Sequence, residues 1–404
     1  MANTINYAAV FNRILDEKFY IMPRTMWMEN TNPGIEWTGG KEIKIPKLST
    51  DGLGTMNGYR APAGDLNLGW ETKVLQWYRG RNLSIGRYDV DETNMALTVG
   101  NSMNVFLREK VIPEIDCLRI AAVAQGAVGY GKITAQATSG ITTANILSLL
   151  LADIATVQDK IGETEQLYIQ ISTGLKSLLE QSTQITRFLN VKDFAVRSAT
   201  LRLEAINDQY LIGTPSGYMH SVFGLNDGAT AGQTVGGVTF ANLGANINWI
   251  IAARPAVDAI ARPQVTKVID PDMNQEGEFW KIMFSVYHGL WTMENKGDGL
   301  LVNLDTTAGS FTVSSEAGTV AVGDSVITTT AVVPTGMKLV WKAASGTAPS
   351  VAIGTKLTST DGWADLPADG KINTTNAYKI TVALVAQNGQ PLAAGNTTVV
   401  AKAS

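Results

Sequence analysis

Between Asp89 and Gly126 the chain reads DVDETNMALTVGNSMNVFLREKVIPEIDCLRIAAVAQG. Apolar residues return at Met95, Val99, Met103, Leu107, Val111, Ile115, Leu118 and Ala122, steps of four and three that lay one stripe along a helix. Asp89, Asp91 and Glu92 suit the free N–H groups and positive dipole end of its first turn, and Gly126 predicts its stop. From Asp91 to Gln125 such a helix reaches roughly 50 Å at ~1.5 Å per residue, the length of a strut across a subunit. Pro113 interrupts the stripe. It lacks an N–H and its ring opposes the carbonyl of Glu109, at a cost of ~3 kcal/mol. The pattern predicts either one helix kinked at Pro113 or two helices in series.

Ahead of this helix, Tyr7, Val10, Phe11, Ile14, Leu15 and Lys18 recur at helical spacing. They predict a short amphipathic helix on an extended arm (1–40) that has little of its own domain to pack on. From residue 41 the period changes to two, with Ile43 and Ile45 facing away from Glu42 and Lys44. Glycines follow at 52, 54, 58, 64 and 69, and alternation resumes through Leu83 and Ile85. Residues 41–88 therefore predict an extended two-stranded arm with a flexible tip. Arg79, Arg81 and Arg87 on its return either meet the acids of a neighbour or form a solvated face.

Beyond a glycine hinge at 126, 129 and 131, helical spacing returns at Ile146, Leu147, Leu150, Ile154, Val157 and Ile161. A strand through Leu167, Ile169 and Ile171 and a helix from Thr173 to Gln181 complete a mixed α/β domain reaching to about residue 250. Its YLIGTPSGYM, Tyr210 to Met219, predicts a turn after a strand. A second core is expected in 264–293, where Ile282, Phe284, Val286 and His288 alternate with Met283, Ser285 and Tyr287.

Composition changes the picture after Asp305. Thr, Ala, Val, Gly and Ser dominate, and no Arg occurs between 305 and 404. Short β segments at Phe311 to Val313, Ser325 to Thr330, Lys338 to Trp341, Tyr378 to Val385 and Thr397 to Val400 predict an immunoglobulin-like sandwich. Its own core is expected around Trp341, without a disulfide.

At 404 residues and 45% hydrophobic, the chain is long enough for two or three domains. Its net charge of −4 gives no overall basic footprint of the kind a dedicated nucleic-acid reader carries. The single cysteine, Cys117, excludes an internal disulfide and is expected to be a buried, inert thiol. The N-terminus lacks a signal-peptide pattern, and no apolar run reaches the ~18–20 residues of a spanning helix, so a soluble product is expected. His220 and His288 stand far apart, outside any metal-ligand spacing. The carboxylates of DVDET, Asp89 to Thr93, suit a helix cap, and those of IDPDMNQEGE, Ile269 to Glu278, a polar turn. No catalytic, cofactor-binding or metal residue is assigned, and no enzyme is expected.

Four stretches, in order, resemble the major capsid proteins of tailed bacteriophages, whose fold is shared with herpesvirus capsids. KEIKIPKLSTDGLG resembles the rising strand of their extended loop, and RNLSIGRYDVDETN runs into the spine helix with its VIPEID. LIGTPSGYM resembles part of the axial domain, and FWKIMFSVYHGLWTMENKGDGLLVN part of the peripheral domain. The resemblance covers about residues 1–304. It implies an α+β capsid fold: N-terminal arm (1–40), extended loop (41–88), spine helix and peripheral domain (89–139), axial domain (140–255) and peripheral return (256–304). Residues 305–404 resemble the immunoglobulin-like domains that some such proteins display outside the shell. The implied function is a structural virion protein, assembled in the host cytoplasm into hexamers and pentamers of an icosahedral head around double-stranded DNA. Its implied partners are further copies of itself, a separate scaffolding protein if any, a portal, decoration proteins and, non-specifically, the packaged DNA, but no membrane. The arm helix begins almost at Met1, which leaves no scaffolding segment ahead of it. No lysine occurs between Leu48 and Thr72, so the Lys–Asn isopeptide bond of some members is not expected; Lys47 and Lys73 flank that gap. The alternative from another class is a bacterial surface-layer or adhesion protein, suggested by the C-terminal sandwich and opposed by the missing export signal.

Overall fold

The computed structural model describes residues 23–29, 42–56, 58–60, 62–92, 98–182, 189–196, 199–206, 209–240 and 243–402. The expected arm helix within 1–22 and Met95 of the stripe lie outside the described residues.

The extended arm is a hairpin of β1 (Glu42–Thr50) and β2 (Leu66–Val74), antiparallel from Glu42 opposite Val74 to Thr50 opposite Leu66. The strand carrying Leu83 and Ile85, expected to be its returning half, is instead a third strand, β3 (Trp77–Gly86). Alternation alone does not choose a partner. Leu75, buried between β2 and β3, and the Trp291 indole, which donates to the Val74 carbonyl at 3.1 Å, hold the end of the hairpin against the body of the subunit.

The long helix forms as α1 (Arg87–Glu92), α2 (Val99–Phe106), a π-helical turn at Leu107–Val111 and α3 (Ile112–Gly129). Asp89 accepts from the Gly86 amide at 3.2 Å, and the Thr98 hydroxyl caps α2 by accepting from the Asn101 amide at 3.2 Å. Phe106, Leu107, Val111 and Ile112 all have right-handed helical dihedrals, so the backbone stays helical from α2 into α3. The expected disruption at Pro113 is resolved by widening the turn before it. The Ile112 amide bonds back to the Leu107 carbonyl, and Pro113 then falls in the first turn of α3, where a missing N–H is tolerated.

Gly126 does not end the helix, which runs on to Gly129. It is a point of close approach: a Cβ there would lie 2.4 Å from the Thr292 hydroxyl oxygen. Nor is the C-terminal half of the helix a one-sided strut. Every residue from Asp116 to Ala124 is buried, because sheets and turns close over it from all sides.

After α3 come β4 (Ile133–Ala135), α4 (Ile146–Ile161), β5 (Leu167–Ser172), α5 (Thr173–Glu180), β6 (Leu189–Val196), β7 (Ala199–Ile206) and β8 (Gln209–Thr214). A two-residue pair, β9 (Gly224–Leu225) and β10 (Val238–Thr239), precedes β11 (Ile247–Ala253), β12 (Val257–Ile269), β13 (Phe279–Thr292) and β14 (Leu300–Leu304). A seven-stranded sheet has the order β4-β14-β11-β5-β8-β7-β6, parallel at β4–β14 and β5–β8. Helix α4 lays Ile146, Leu147, Leu150, Ile154 and Val157 into the core, the positions its spacing predicts. Strand β5 departs from alternation, since all six residues are buried in a central strand covered on both faces. A second sheet, β12-β13-β3, packs on the long helix.

The C-terminal region holds two sheets. One has the order β15 (Gly309–Ser310), β22 (Pro391–Thr398), β21 (Lys379–Ala386), β18 (Met337–Ala344), β19 (Ala364–Asp365). The other has β16 (Val313–Ala317), β17 (Asp324–Thr329), β20 (Lys371–Asn373). Trp341, the expected core aromatic, is only half-buried; Trp363 is the buried tryptophan, packed with Val340, Leu357, Ala383 and Val385. That cluster is a core of the C-terminal region's own, as expected, but it is not the whole of the buried apolar surface there. One continuous apolar cluster runs from Cys117 and Val128 of α3 through β11 and β14 to Ile327, Val382, Leu384 and Leu392. Gly309 lies so close to Gly244 that a Cβ would sit 2.4 Å from its backbone. The Asn388 amide, on the β21–β22 turn, donates to the Val128 and Gly129 carbonyls at 2.7 and 3.2 Å. A side chain 260 residues away thus adds a second hydrogen bond to the Val128 carbonyl, which also takes the Gly131 amide at 3.0 Å, and one to the Gly129 carbonyl. No helix among the described residues is long and apolar enough to cross a membrane.

Candidate assembly surface

Period-two alternation gives the hairpin two chemically different faces. On one, Leu66, Leu68, Trp70 and Val74 of β2 are 69, 56, 62 and 47% exposed, with Leu48 (54%) directly opposite Leu68 and Pro46 opposite Trp70. On the other lie Ile45, which packs against Leu75, Tyr287 and Trp291 of the same subunit, and the charged pairs. Lys73 meets Glu71 at 2.6 Å and Lys47 meets Glu294 at 2.7 Å. Contact with Lys47 holds the Glu294 carboxyl below its ordinary pKa and raises that of Lys47. The polar face is seated on the body of its own chain and the apolar face is open. At the tip, Leu53, Met56 and Tyr59 are also exposed.

The three arginines of the return are not a free cationic face. Arg79 bonds Glu114 at 2.6 Å and the Asn226 carbonyl at 2.9 Å, Arg81 bonds the Thr234 carbonyl, and Arg87 meets Asp272 at 3.1 Å. All of these partners belong to the same chain. A run of alternating Arg shows that a face is basic but says nothing of the carbonyls and acids, up to 185 residues away, that meet it.

An anchoring site escaped sequence reasoning. Residues 23–29 lie against α3, with Trp27 stacked on Tyr168 at 4.4 Å. Asp116 accepts from the Arg24 amide (2.9 Å), the Thr25 amide (3.3 Å) and the Thr25 hydroxyl (2.5 Å). Arg119, 2% exposed, meets Glu29 at 2.8 Å and the Thr25 hydroxyl at 3.3 Å. Burial pushes the Asp116 carboxyl up, against the opposing pull of Thr25, the Arg24 amide and Arg119. The only signal for this cluster in the sequence was Asp116 and Arg119 standing inside the apolar run IDCLRIAAVA.

Cys117 is fully buried, and burial pushes its thiol pKa far up, consistent with an inert side chain. His220 and His288 lie on different elements: His220 bridges to Asn246, and His288 sits in β13 with its ring 5.3 Å from that of Trp77. The carboxylates of 269–278 form a capped turn in which Asp270 accepts from the Asp272 amide at 3.3 Å. Among the described residues no group of three His, Cys, Asp or Glu is placed to hold a metal.

No family model matches the chain, and no curated protein does. Two solved structures share its architecture at very low identity. A chain of the cyanophage P-SCSP1u capsid is 14% identical with a TM-score of 0.50, over 76% of this chain and 93% of that one. A chain of the bacteriophage PhiM1 mature capsid is 10% identical with a TM-score of 0.50, over 75% and 93%. Domains 7, 8 and 9 of the S-layer protein SbsC match at 21% identity over 28% of this chain, with a TM-score of 0.21 that carries no argument. The chain thus shares its overall fold with these bacteriophage capsid chains.

Proposed function

We propose that the chain is a major capsid protein that assembles with copies of itself into the hexamers and pentamers of an icosahedral phage head around double-stranded DNA. The observation that carries this reading is the open apolar face of the β1–β2 hairpin. A projecting ribbon with Leu48, Leu66, Leu68 and Trp70 in water has no use in a monomer, while burying one such side chain contributes ~1.5–3 kcal/mol. A second copy repeated around a closed ring supplies that burial many times over. The role is structural, in the virion, and the fold shared with phage capsids supports it.

In this reading residues 1–40 are the arm, 41–88 the extended loop, 89–139 and 256–304 the spine and peripheral domain, and 140–255 the axial domain. Residues 305–404 form an immunoglobulin-like domain on the outer surface. Assembly takes place in the host cytoplasm, with a separate scaffolding protein, a portal and decoration proteins as partners, and non-specific contact with the packaged DNA.

The test is the double substitution Leu68→Ser and Trp70→Ser. Both side chains are exposed, so the free subunit should unfold within about 0.5 kcal/mol of the parent. Electron microscopy should nevertheless show no closed shells. Normal shells from that variant would remove the hairpin face from assembly and, with it, the observation on which this reading rests.

A further inference from the structure

The turn between β21 and β22 carries Asn388 followed by Gly389. Two unrelated demands put the pair there. At 388 a side-chain amide donates to the Val128 and Gly129 carbonyls while its own oxygen takes the Gln390 amide. Position 389 needs glycine, because its φ is +84° and a Cβ there would lie 2.8 Å from the Leu357 carbonyl oxygen. The result is a chemically labile pair: with no Cβ on the second residue, nothing shields the backbone nitrogen that can attack the asparagine side chain.

That attack has a defined course. The Gly389 nitrogen gives its proton to hydroxide and bonds to Cγ of Asn388; the Cγ–Nδ2 bond breaks, and Nδ2 leaves as ammonia with a proton taken from water. Water then opens the cyclic imide at either carbonyl, leaving aspartate or isoaspartate. Docking of the turn opposes the first step. The Gly389 N–H donates to the Ala386 carbonyl at 2.9 Å and the Gly389 carbonyl accepts from the Leu357 amide at 2.8 Å, which fixes the peptide planes on both sides of this residue. The Asn388 side chain is held at both of its ends, Nδ2 by α3 and Oδ1 by Gln390. Both residues are half-buried.

We infer that Asn388 is a modification site gated by docking: its amide is kept while the β21–β22 turn sits on α3 and is lost once that turn lifts away, which makes the lifting irreversible. An ionised aspartate presents only acceptors to two carbonyls at the negative end of a helix dipole. Isoaspartate adds a methylene to a main chain whose amide and carbonyl are already bonded on either side. Neither product restores the contact. This inference does not rest on shell assembly.

The test incubates the full-length chain at mildly alkaline pH in native buffer, in subdenaturing urea and in fully unfolding urea, and follows exchange of amide for acid in the peptide containing Asn388 by mass spectrometry. In native buffer the modification should run at least tenfold slower than in the unfolded chain, the factor that ~1.4 kcal/mol of docking supplies. In subdenaturing urea it should accelerate before circular dichroism shows global unfolding, because a turn can lift without dismantling the strands that flank it. After return to native buffer, backbone hydrogen exchange across 386–390 should be at least tenfold faster in the modified fraction than in the unmodified one. Equal rates in the native and unfolded chain overturn the inference, and so does acceleration that appears only with global unfolding. A modified fraction as well protected as the unmodified one also overturns it, since the turn would then have docked again.

Discussion

Replacing Asn388 tests whether the C-terminal region is a structural part of the long helix. Its amide makes bonds of 2.7 and 3.2 Å to the Val128 and Gly129 carbonyls, and its carbonyl oxygen accepts from the Gln390 amide at 3.1 Å. A net hydrogen bond contributes ~0.5–1.5 kcal/mol; the Val128 carbonyl keeps the Gly131 amide at 3.0 Å and the exposed Gly129 carbonyl can turn to water, so the loss is that of the two Asn388 bonds alone. Asn388→Ala should therefore cost ~1–2 kcal/mol in urea unfolding. Asn388→Asp should cost more at pH 7, because it also sets a negative charge on the negative end of a helix dipole, a further ~0.3–1 kcal/mol. That extra loss should fade as pH falls below about 4 and the new carboxyl protonates. Substitution of the exposed neighbour Gln387→Ala is the control and should change little. An Asn388→Asp protein as stable as the parent at pH 7 would refute the capping role.

Three further outcomes are expected. Deletion of 306–404 should give insoluble protein, because it strips the partners of Val128 and opens a shared core; a soluble truncated chain that forms shells would contradict this. Burial, with help from Arg119 and Arg79, pushes the His288 pKa down to about 3, so the unfolded chain binds the proton more readily. Stability should then fall as pH drops from about 6.5 towards 3, by up to ~1.4 kcal/mol per pH unit from this group, and unfolding of His288→Phe across that window should lack this component. Particles boiled in detergent under reducing conditions should run as one band near 43.2 kDa, since Cys117 is buried and Lys47 and Lys73 are each held by a carboxylate of their own chain; a ladder would point to covalent cross-links.

Local periodicity was legible in the sequence wherever one element meets one core. Helix α4 and the helix after β5 appear within a residue of their expected bounds, and Ile282, Phe284, Val286 and His288 face inwards as their alternation implies. What the sequence did not disclose was pairing at a distance. Strand β3 and the strand at Glu42–Thr50 alternate in the same way, yet they join different sheets. Gly126 looked like a stop because a glycine after an apolar stripe commonly is one, whereas Thr292 crosses the helix there. Trp341 and Trp363 both sit among small residues, and only the fold decides which is buried. The hairpin's open face was written in Leu66, Leu68 and Trp70, but its significance needed the other face to be seen occupied.

The distance between Asn388 and the helix end it caps also has a meaning in time. At ~5–20 residues per second, a ribosome needs roughly 13–50 s to travel the 260 residues from Val128 to Asn388. Throughout that interval the amides of Tyr130, Lys132 and Gly131 already close the Gly126, Ala127 and Val128 carbonyls, while the Asn388 contact with the Gly129 carbonyl and part of the helix's apolar surroundings are still unmade. A nascent chain that has not reached Asn388 therefore lacks one of the contacts that fix the end of this helix.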